Sequence, residues 1–327
     1  MQVLITGATG FLGRHLVERL LREGHGIKAL VRPETDPSQL VSRGVEVVSG
    51  DVRDAQTVDR AAEDCQVIYH LAARTSHGNR SSKDTYLVNV NGTANVVRAA
   101  LKVGVSRFIL ASTTSAYGPF KNRSIDESTA VRPYSAYTAS KVQAEQIVQS
   151  YYARHGLPAV LTRITSVFGV GNKGWIGLFQ AIKDGKFRMI GRGENYRQLA
   201  DVSDIIEGLF LCGTLKGIEG KTYILAGNEP LRLRDSIEMI REELKAPTLP
   251  NPVPVWPLHL YRFFNDVYRA CGGERLPRLD RVRFFLTDET FDLSHARGDL
   301  GYVPKIGMNE AIHRMAEWYR SEGYLTD

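Results

Sequence analysis

A chain of 327 residues, 43% hydrophobic and 24% charged, has the composition of an ordinary globular protein, long enough for one large α/β domain with an appendage or for two small ones. The net charge of +6 is modest for this size, and no basic stripe interleaves with aromatics, so nucleic acid is not an expected partner; a solvated surface accounts for it, with a local field toward a phosphorylated cofactor or acidic substrate as the sharper reading. Cys65, Cys212 and Cys271 lie far apart with no C-x-x-C spacing, no apolar run reaches spanning length, and the chain opens without a basic leader, so no metal site, disulfide framework, transmembrane segment or secretory signal is expected, and reduced thiols in a cytoplasmic protein are.

The expected elements alternate. Strands are read at 3–6, 27–31, 45–49, 67–70, 107–112 and 159–163. Helical periods fall at 12–23, 58–63, 91–103 and 140–155, with Glu23-Gly24-His25 and Gly156-Leu157-Pro158 as stops. Near-continuous apolar strands between helices predict a doubly wound parallel sheet of Rossmann type. The alternation fades after Gly169, and five prolines between Pro247 and Pro257 exclude a continuous helix or internal strand there. The expected division is a dinucleotide-binding domain over 1–168, with about 196–230 returning to it, and a smaller α+β substrate lobe over 169–327.

The first strand runs into Thr6-Gly7-Ala8-Thr9-Gly10-Phe11-Leu12-Gly13. Gly7, Gly10 and Gly13 permit a tight turn, close backbone approach to a pyrophosphate and close helix–strand contact, and the following helix aims its N-terminal amides at the phosphates. Thr9, Phe11 and Leu12 complete this expected cofactor loop. The second strand ends in Arg32 where a carboxylate would bind the ribose hydroxyls of NAD, so a guanidinium for a 2′-phosphate, and hence NADP, is preferred, with NAD still open and a plain surface arginine as the alternative. Asp51 and Val52 after the third strand, Leu71, Ala72 and Ala73 after the fourth, and Ile164 at the sixth are expected along the same carboxyl edge. Asp51 is read as an acceptor for the adenine amine, or else as an ordinary turn aspartate.

Tyr137 and Lys141 stand four residues apart, on one face if helical. Oxidising an alcohol or reducing a ketone requires a proton to move with each hydride. A tyrosine titrating near ~10 needs about 4 kcal/mol of help to work near neutrality, which a neighbouring ammonium and a cationic nicotinamide would supply. Lysine could also hydrogen-bond the nicotinamide ribose. The hydroxyl string Ser112-Thr113-Thr114-Ser115 closes the fifth strand, where it could hold a substrate oxygen.

The run TGATGFLG at 6–13, with GDVRD at 50–54, YHLAA at 69–73, VNVNGT at 88–93, LASTTSAYG at 110–118, YTASK at 137–141, RITSVFG at 163–169 and ADVSDIIEG at 200–208, resembles the extended short-chain dehydrogenase/reductases of the NAD-dependent epimerase/dehydratase type. The resemblance covers nearly the whole chain. It implies Thr113 as the catalytic Ser/Thr, Tyr137 as the acid/base, Lys141 as its partner, and Asn89 on the cofactor side of the sheet. Family dehydratases carry Asp-Glu where this chain has Thr114-Ser115, which argues against dehydration.

Family epimerases carry asparagine where this chain has Ser166, while Arg197 is retained and could grip a diphosphate or serve as an inter-lobe salt bridge. Thr114, Ser166 and Arg197 are the expected substrate contacts. Trp256, Leu260, Phe263, Phe264, Val267 and Tyr268 share one helical face, read as core packing, with an apolar pocket wall, a dimer contact or a peripheral membrane patch as alternatives. Together with LGYVP at 300–304, this region resembles 3β-hydroxysteroid dehydrogenase-like members. The leading expectation is an NADP(H)-dependent enzyme interconverting a ketone and a secondary alcohol, working on an apolar small molecule as a homodimer. A nucleotide-sugar epimerase with bound NAD is the alternative, and a non-catalytic NADP sensor the minor one.

Overall fold

The computed structural model describes residues 1–75, 82–120, 124–257, 268 and 284–325. In chain order the strands are β1 (Gln2–Thr6), β2 (Gly26–Val31), β3 (Glu46–Ser49), β4 (Val67–His70), β5 (Arg107–Thr113), β6 (Ala159–Ile164), β7 (Val167–Phe168), β8 (Tyr196–Arg197), β9 (Ala200–Asp201), β10 (Thr222–Leu225) and β11 (Leu231–Arg232). The helices are α1 (Phe11–Arg22), α2 (Ser38–Val41), α3 (Ala55–Ala62), α4 (Ser82–Tyr86), α5 (Gly92–Val103), α6 (Ala136–His155), α7 (Ile176–Lys183), α8 (Val202–Thr214), α9 (Leu233–Glu243), α10 (Ser294–Leu300) and α11 (Met308–Ser321).

Seven strands form one parallel sheet in the order β10-β6-β5-β4-β1-β2-β3, the expected Rossmann-type architecture. The chain winds outward in both directions from β1, so a crevice opens beyond the carboxyl ends of β1 and β4, where doubly wound sheets bind ligands. The strands are apolar throughout because both faces are covered. On one face Leu16, Val17 and Leu20 of α1 pack with Ile205 and Leu209 of α8. On the other, Val58 and Ala61 of α3, Val96 and Ala100 of α5, and Ala144 and Val148 of α6 do the same. Each large apolar side chain so buried contributes roughly 1.5–3 kcal/mol. A third core lies outside the sheet, where Phe179 and Ile182 of α7, Ile237 and Ile240 of α9, and Met315 and Tyr319 of α11 meet.

Capping moves two helix starts ahead of the hydrophobic period. Asp54 accepts from the Gln56 amide and starts α3 at Ala55. Ser135 and Thr138 form a reciprocal capping box that starts α6 at Ala136, and Gly156, left-handed at φ +68°, ends it. Five residues of π-helix, Leu87–Asn91, lead into α5. Strands β7, β8, β9 and β11 are two residues each, too short to show any period. The apolar face expected around 256–268 lies almost wholly outside the described residues, as does Cys271; Trp256 and Tyr268 are described and are exposed. Cys65 and Cys212 are buried free thiols. Among the described residues no helix is long and apolar enough to cross a membrane, and no cluster of metal-ligating side chains occurs.

Candidate active site

A groove of about 610 Å³ runs along the crevice. Gly7, Thr9, Gly10, Arg32, Asp51, Val52, Leu71, Ala72 and Ala73, all expected there, line it together with Arg53, Arg74 and Thr75. Its floor has no room for side chains. At Gly7, where φ is +77°, a Cβ would lie 2.8 Å from the Ala72 nitrogen, and at Gly13 one would lie 2.1 Å from the Gly7 carbonyl oxygen. Gly10 is the N-cap of α1 and offers no side-chain cap, so the first amides of a twelve-residue helix are left for a ligand. The buried Nε of Arg74 also has no hydrogen-bond partner among the described residues. These features fit a dinucleotide.

Other expected cofactor residues sit off the groove. Phe11 lines a neighbouring pocket with Arg14, His15 and Lys173, Leu12 packs against the core, and Ile164 is buried at the end of β6. Asn89 is buried. Its amide accepts from the Arg74 nitrogen at 2.7 Å and donates to the Arg74 carbonyl at 3.0 Å and the Ser140 hydroxyl at 2.9 Å, so it splices the groove wall to α6. Asp51 is held by Arg53 through two bonds of 2.9 Å, so its carboxylate is half of an ion pair on the groove wall.

Tyr137 and Lys141 lie in the first two turns of α6, over the end of β5. The Thr113 hydroxyl lies against the Tyr137 phenol and acts on it, while the Lys141 Nζ donates to the Ala111 carbonyl at 2.5 Å. Burial pushes the phenol up to about 12, with Thr113 pulling against it and Tyr134 adding to the rise. Burial likewise draws the ammonium down to about 8, opposed by Glu145. Lys141 is not among the groups that act on the Tyr137 phenol here: its Nζ is turned to a backbone carbonyl, and desolvation governs the phenol.

A second cleft of about 160 Å³ is lined by Ser115, Gly118, Pro119, Tyr134, Ser166, Arg197, Phe284, Thr287 and Glu289. Ser166 and Arg197 are thus brought together as expected. Thr114 is not among the lining residues: its buried hydroxyl donates to the Ile164 carbonyl at 3.5 Å, and the next residue, Ser115, faces the cleft instead. Arg197 is buried, paired with Glu289 at 2.7 Å, and lies 4.1 Å over the Phe284 ring, while its Nε and Nη1 find no hydrogen-bond partner among the described residues.

The NAD dependent epimerase/dehydratase profile matches residues 3–226, more than half of the chain. The chain belongs to that family. An N-acetyl-α-D-glucosaminyl-diphospho-ditrans,octacis-undecaprenol 4-epimerase of Escherichia coli O157:H7 is 29% identical over 323 residues, covering 97% of this chain and 94% of the relative. A 3β-hydroxysteroid-dehydrogenase/decarboxylase of Arabidopsis thaliana is also 29% identical, over 344 residues, covering 95% of this chain and 78% of the relative. The crystal structure of gox2253 superposes with a TM-score of 0.86 at 26% identity over 99% of both chains. The chain is an enzyme of the extended short-chain dehydrogenase/reductase type, as the motifs implied, in a family that uses NAD.

Within this family fold, several site residues carried no sequence signal of their own. Glu289 and Phe284 come from more than 80 residues beyond Arg197, and they are brought to the cleft by the bridges of Arg197 to Glu289 and Phe120 to Asp288 and by the Asn195 amide, which donates to the Phe284 and Thr287 carbonyls. Glu145 was not singled out from the sequence either, although its spacing of four from Lys141 puts it on the next turn of the same helix face.

Proposed function

We propose that this family member is an NADP(H)-dependent oxidoreductase that interconverts a ketone and a secondary alcohol on a small, uncharged molecule. The observation that carries the substrate class is the Arg197–Glu289 ion pair: the cleft's buried guanidinium is already neutralised, so a diphosphate would have to displace or bury a carboxylate. Ser166 supplies a short hydroxyl where an asparagine would reach a diphosphate. The preference for NADP rests on Arg32 and Arg53, two arginines on the groove wall that both act on Asp51. Arg32 is largely exposed, and its contact is a surface pair with Glu34 at 3.2 Å, worth about 0–1 kcal/mol and readily exchanged for a phosphate.

Bound nicotinamide supplies or accepts the hydride. Tyr137 gives its phenolic proton to the nascent alkoxide or takes it from the alcohol, Thr113 holds the same oxygen, and the Lys141 charge stabilises the phenolate left behind. A nucleotide-sugar 4-epimerase is the second reading, favoured by the two unpartnered nitrogens of Arg197 in the cleft.

The two are separated by denaturing the purified protein, measuring released nicotinamide, and then following NADPH absorbance with a panel of cyclic ketones. Protein that takes up NADPH and oxidises it mole for mole with a ketone is expected. Stoichiometric bound NAD, with 4-epimer formed from a uridine-diphosphate sugar and no net absorbance change, would overturn the reading.

A further inference from the structure

Glu145 follows Lys141 by one turn, so Tyr137, Lys141 and Glu145 run along one face of α6. Its side chain is only 3% exposed. The carboxylate accepts from the Ser112 hydroxyl of β5 at 2.5 Å and from Arg163 of β6 through Nη2 at 2.7 Å and Nε at 3.2 Å. Arg163 extends the cluster by donating to the Tyr117 hydroxyl at 2.8 Å and the Glu127 carbonyl at 3.3 Å, with its guanidinium 4.8 Å over the Tyr117 ring. The three elements around the acid/base pair therefore meet at one carboxylate.

A buried ion pair is weak evidence for stability, because desolvation offsets most of the attraction. Here a third charge shares the interior. Lys141 is buried on the same helix face, and Glu145 acts on it directly. Among the described residues, the other groups around Lys141 supply no counter-charge. The Ala111 carbonyl of β5 is a dipole, and His70 of β4, which burial draws down to about 3, is neutral. Tyr137 on α6 and Tyr117 beyond β5 are phenols that burial pushes up to about 12, and Arg163 on β6 is itself a cation. With Glu145 removed, two buried cations would remain without an anion among them.

We propose that Glu145 is a positioning residue for the reaction: clamped by Ser112 and Arg163, it keeps Lys141 an ammonium and ties the Tyr137–Lys141 face of α6 to β5 and β6. This rests on the acid/base reading of Tyr137 and Lys141, and it assigns the buried anion that the reading needs.

Lysine-selective carbon-13 NMR of the ligand-free protein, with the Lys141 signal identified by its loss in Lys141→Met, reads the titration without substrate. In Glu145→Gln the Lys141 midpoint is expected to fall by about one pH unit or more, a tenfold change in the protonation equilibrium. Arg163→Met breaks the same ion pair but leaves the carboxylate with Lys141 as its cation, so the midpoint should stay at or above the wild-type value. Where the single glutamate variant does not fold, the double variant Glu145→Gln/Arg163→Met removes both charges of the pair and should still lower the midpoint. An unmoved Lys141 in Glu145→Gln or in the double variant, or equal shifts in the two single variants, would overturn the proposal. Failure of the acid/base reading shows separately, as undiminished ketone reduction in Lys141→Met, and leaves the titration of Lys141 in the other variants readable.

Discussion

The Tyr137 phenol and the Thr113 hydroxyl lie against one another where the first turn of α6 meets the last residue of β5. A substrate oxygen that approaches one of them is within reach of the other, so the two groups are expected to act on the same atom. Tyr137→Phe removes the proton and should lower kcat by about 10²–10⁴-fold. Thr113→Val removes a donor to the developing oxyanion and should cost about 10²–10³-fold. Both variants should retain the wild-type affinity for NADPH, measured by fluorescence titration. Full turnover in Tyr137→Phe would remove the phenol from the mechanism.

Lys141 sets an alkaline limit. Its ammonium, drawn down to about 8 by burial, is present below that pH and lost above it. The charge that stabilises the phenolate disappears with it, so kcat/KM for ketone reduction should fall as pH rises through about 8. Unfolding does not explain such a fall. Between 8 and the ordinary value of 10.5 the unfolded chain holds a proton on this lysine that the native chain has released, so Lys141's contribution to stability grows with pH across that window. A rate profile with a descending limb near 8 and a melting temperature that does not follow it is expected. Lys141→Arg, which cannot lose its charge there, should abolish the limb; an unchanged limb in that variant would assign it to another group.

The elements that follow hydrophobic period were legible because burial on both faces of the sheet leaves an apolar run in the sequence. Gly7 and Gly13 were legible because a Cβ at either would meet backbone at 2.8 and 2.1 Å, and Gly10 because it sits at the start of α1 with backbone 3.1 Å from where its Cβ would be. The chemistry of the substrate cleft was not. Arg197 could be read either as a diphosphate grip or as a salt bridge, and the choice depends on Glu289, brought beside it by backbone pairing between distant segments. The same limit explains Thr114 and Ser115. Residue type suggested a hydroxyl at the end of β5, but which of two neighbours faces the cleft is decided by the 3₁₀ turn at Thr114–Tyr117.

Arg32 should decide between the two nicotinamide cofactors. A charge-assisted contact to a 2′-phosphate is worth about 1.5–3 kcal/mol, so Arg32→Ala should lower kcat/KM for NADPH by about 10–100-fold while leaving NADH nearly unchanged. Arg53→Ala tests the neighbour on the same wall and should act in the same direction while also releasing Asp51. The measurement is the ratio of kcat/KM for NADPH over NADH. If that ratio is unchanged in Arg32→Ala, the 2′-phosphate is not read at this position.

His70 should make the protein acid-labile. Its ring is enclosed between the Thr6 hydroxyl at 2.6 Å and the Thr93 hydroxyl at 3.0 Å, and burial, reinforced by the nearby Lys141 charge, draws it from 6.5 down to about 3. Below 6.5 the unfolded chain takes up a proton that native His70 refuses, so stability is lost as pH falls, by up to about 1.4 kcal/mol per pH unit, until the folded midpoint is reached. His70→Gln has no such proton to bind and should show a shallower acid limb in urea unfolding measured from neutrality downward. Parallel limbs in wild type and variant would mean that His70 is protonated in the fold. In that case Lys141 would have a second cation beside it, and the single buried carboxylate of Glu145 would be shared by three positive groups rather than two.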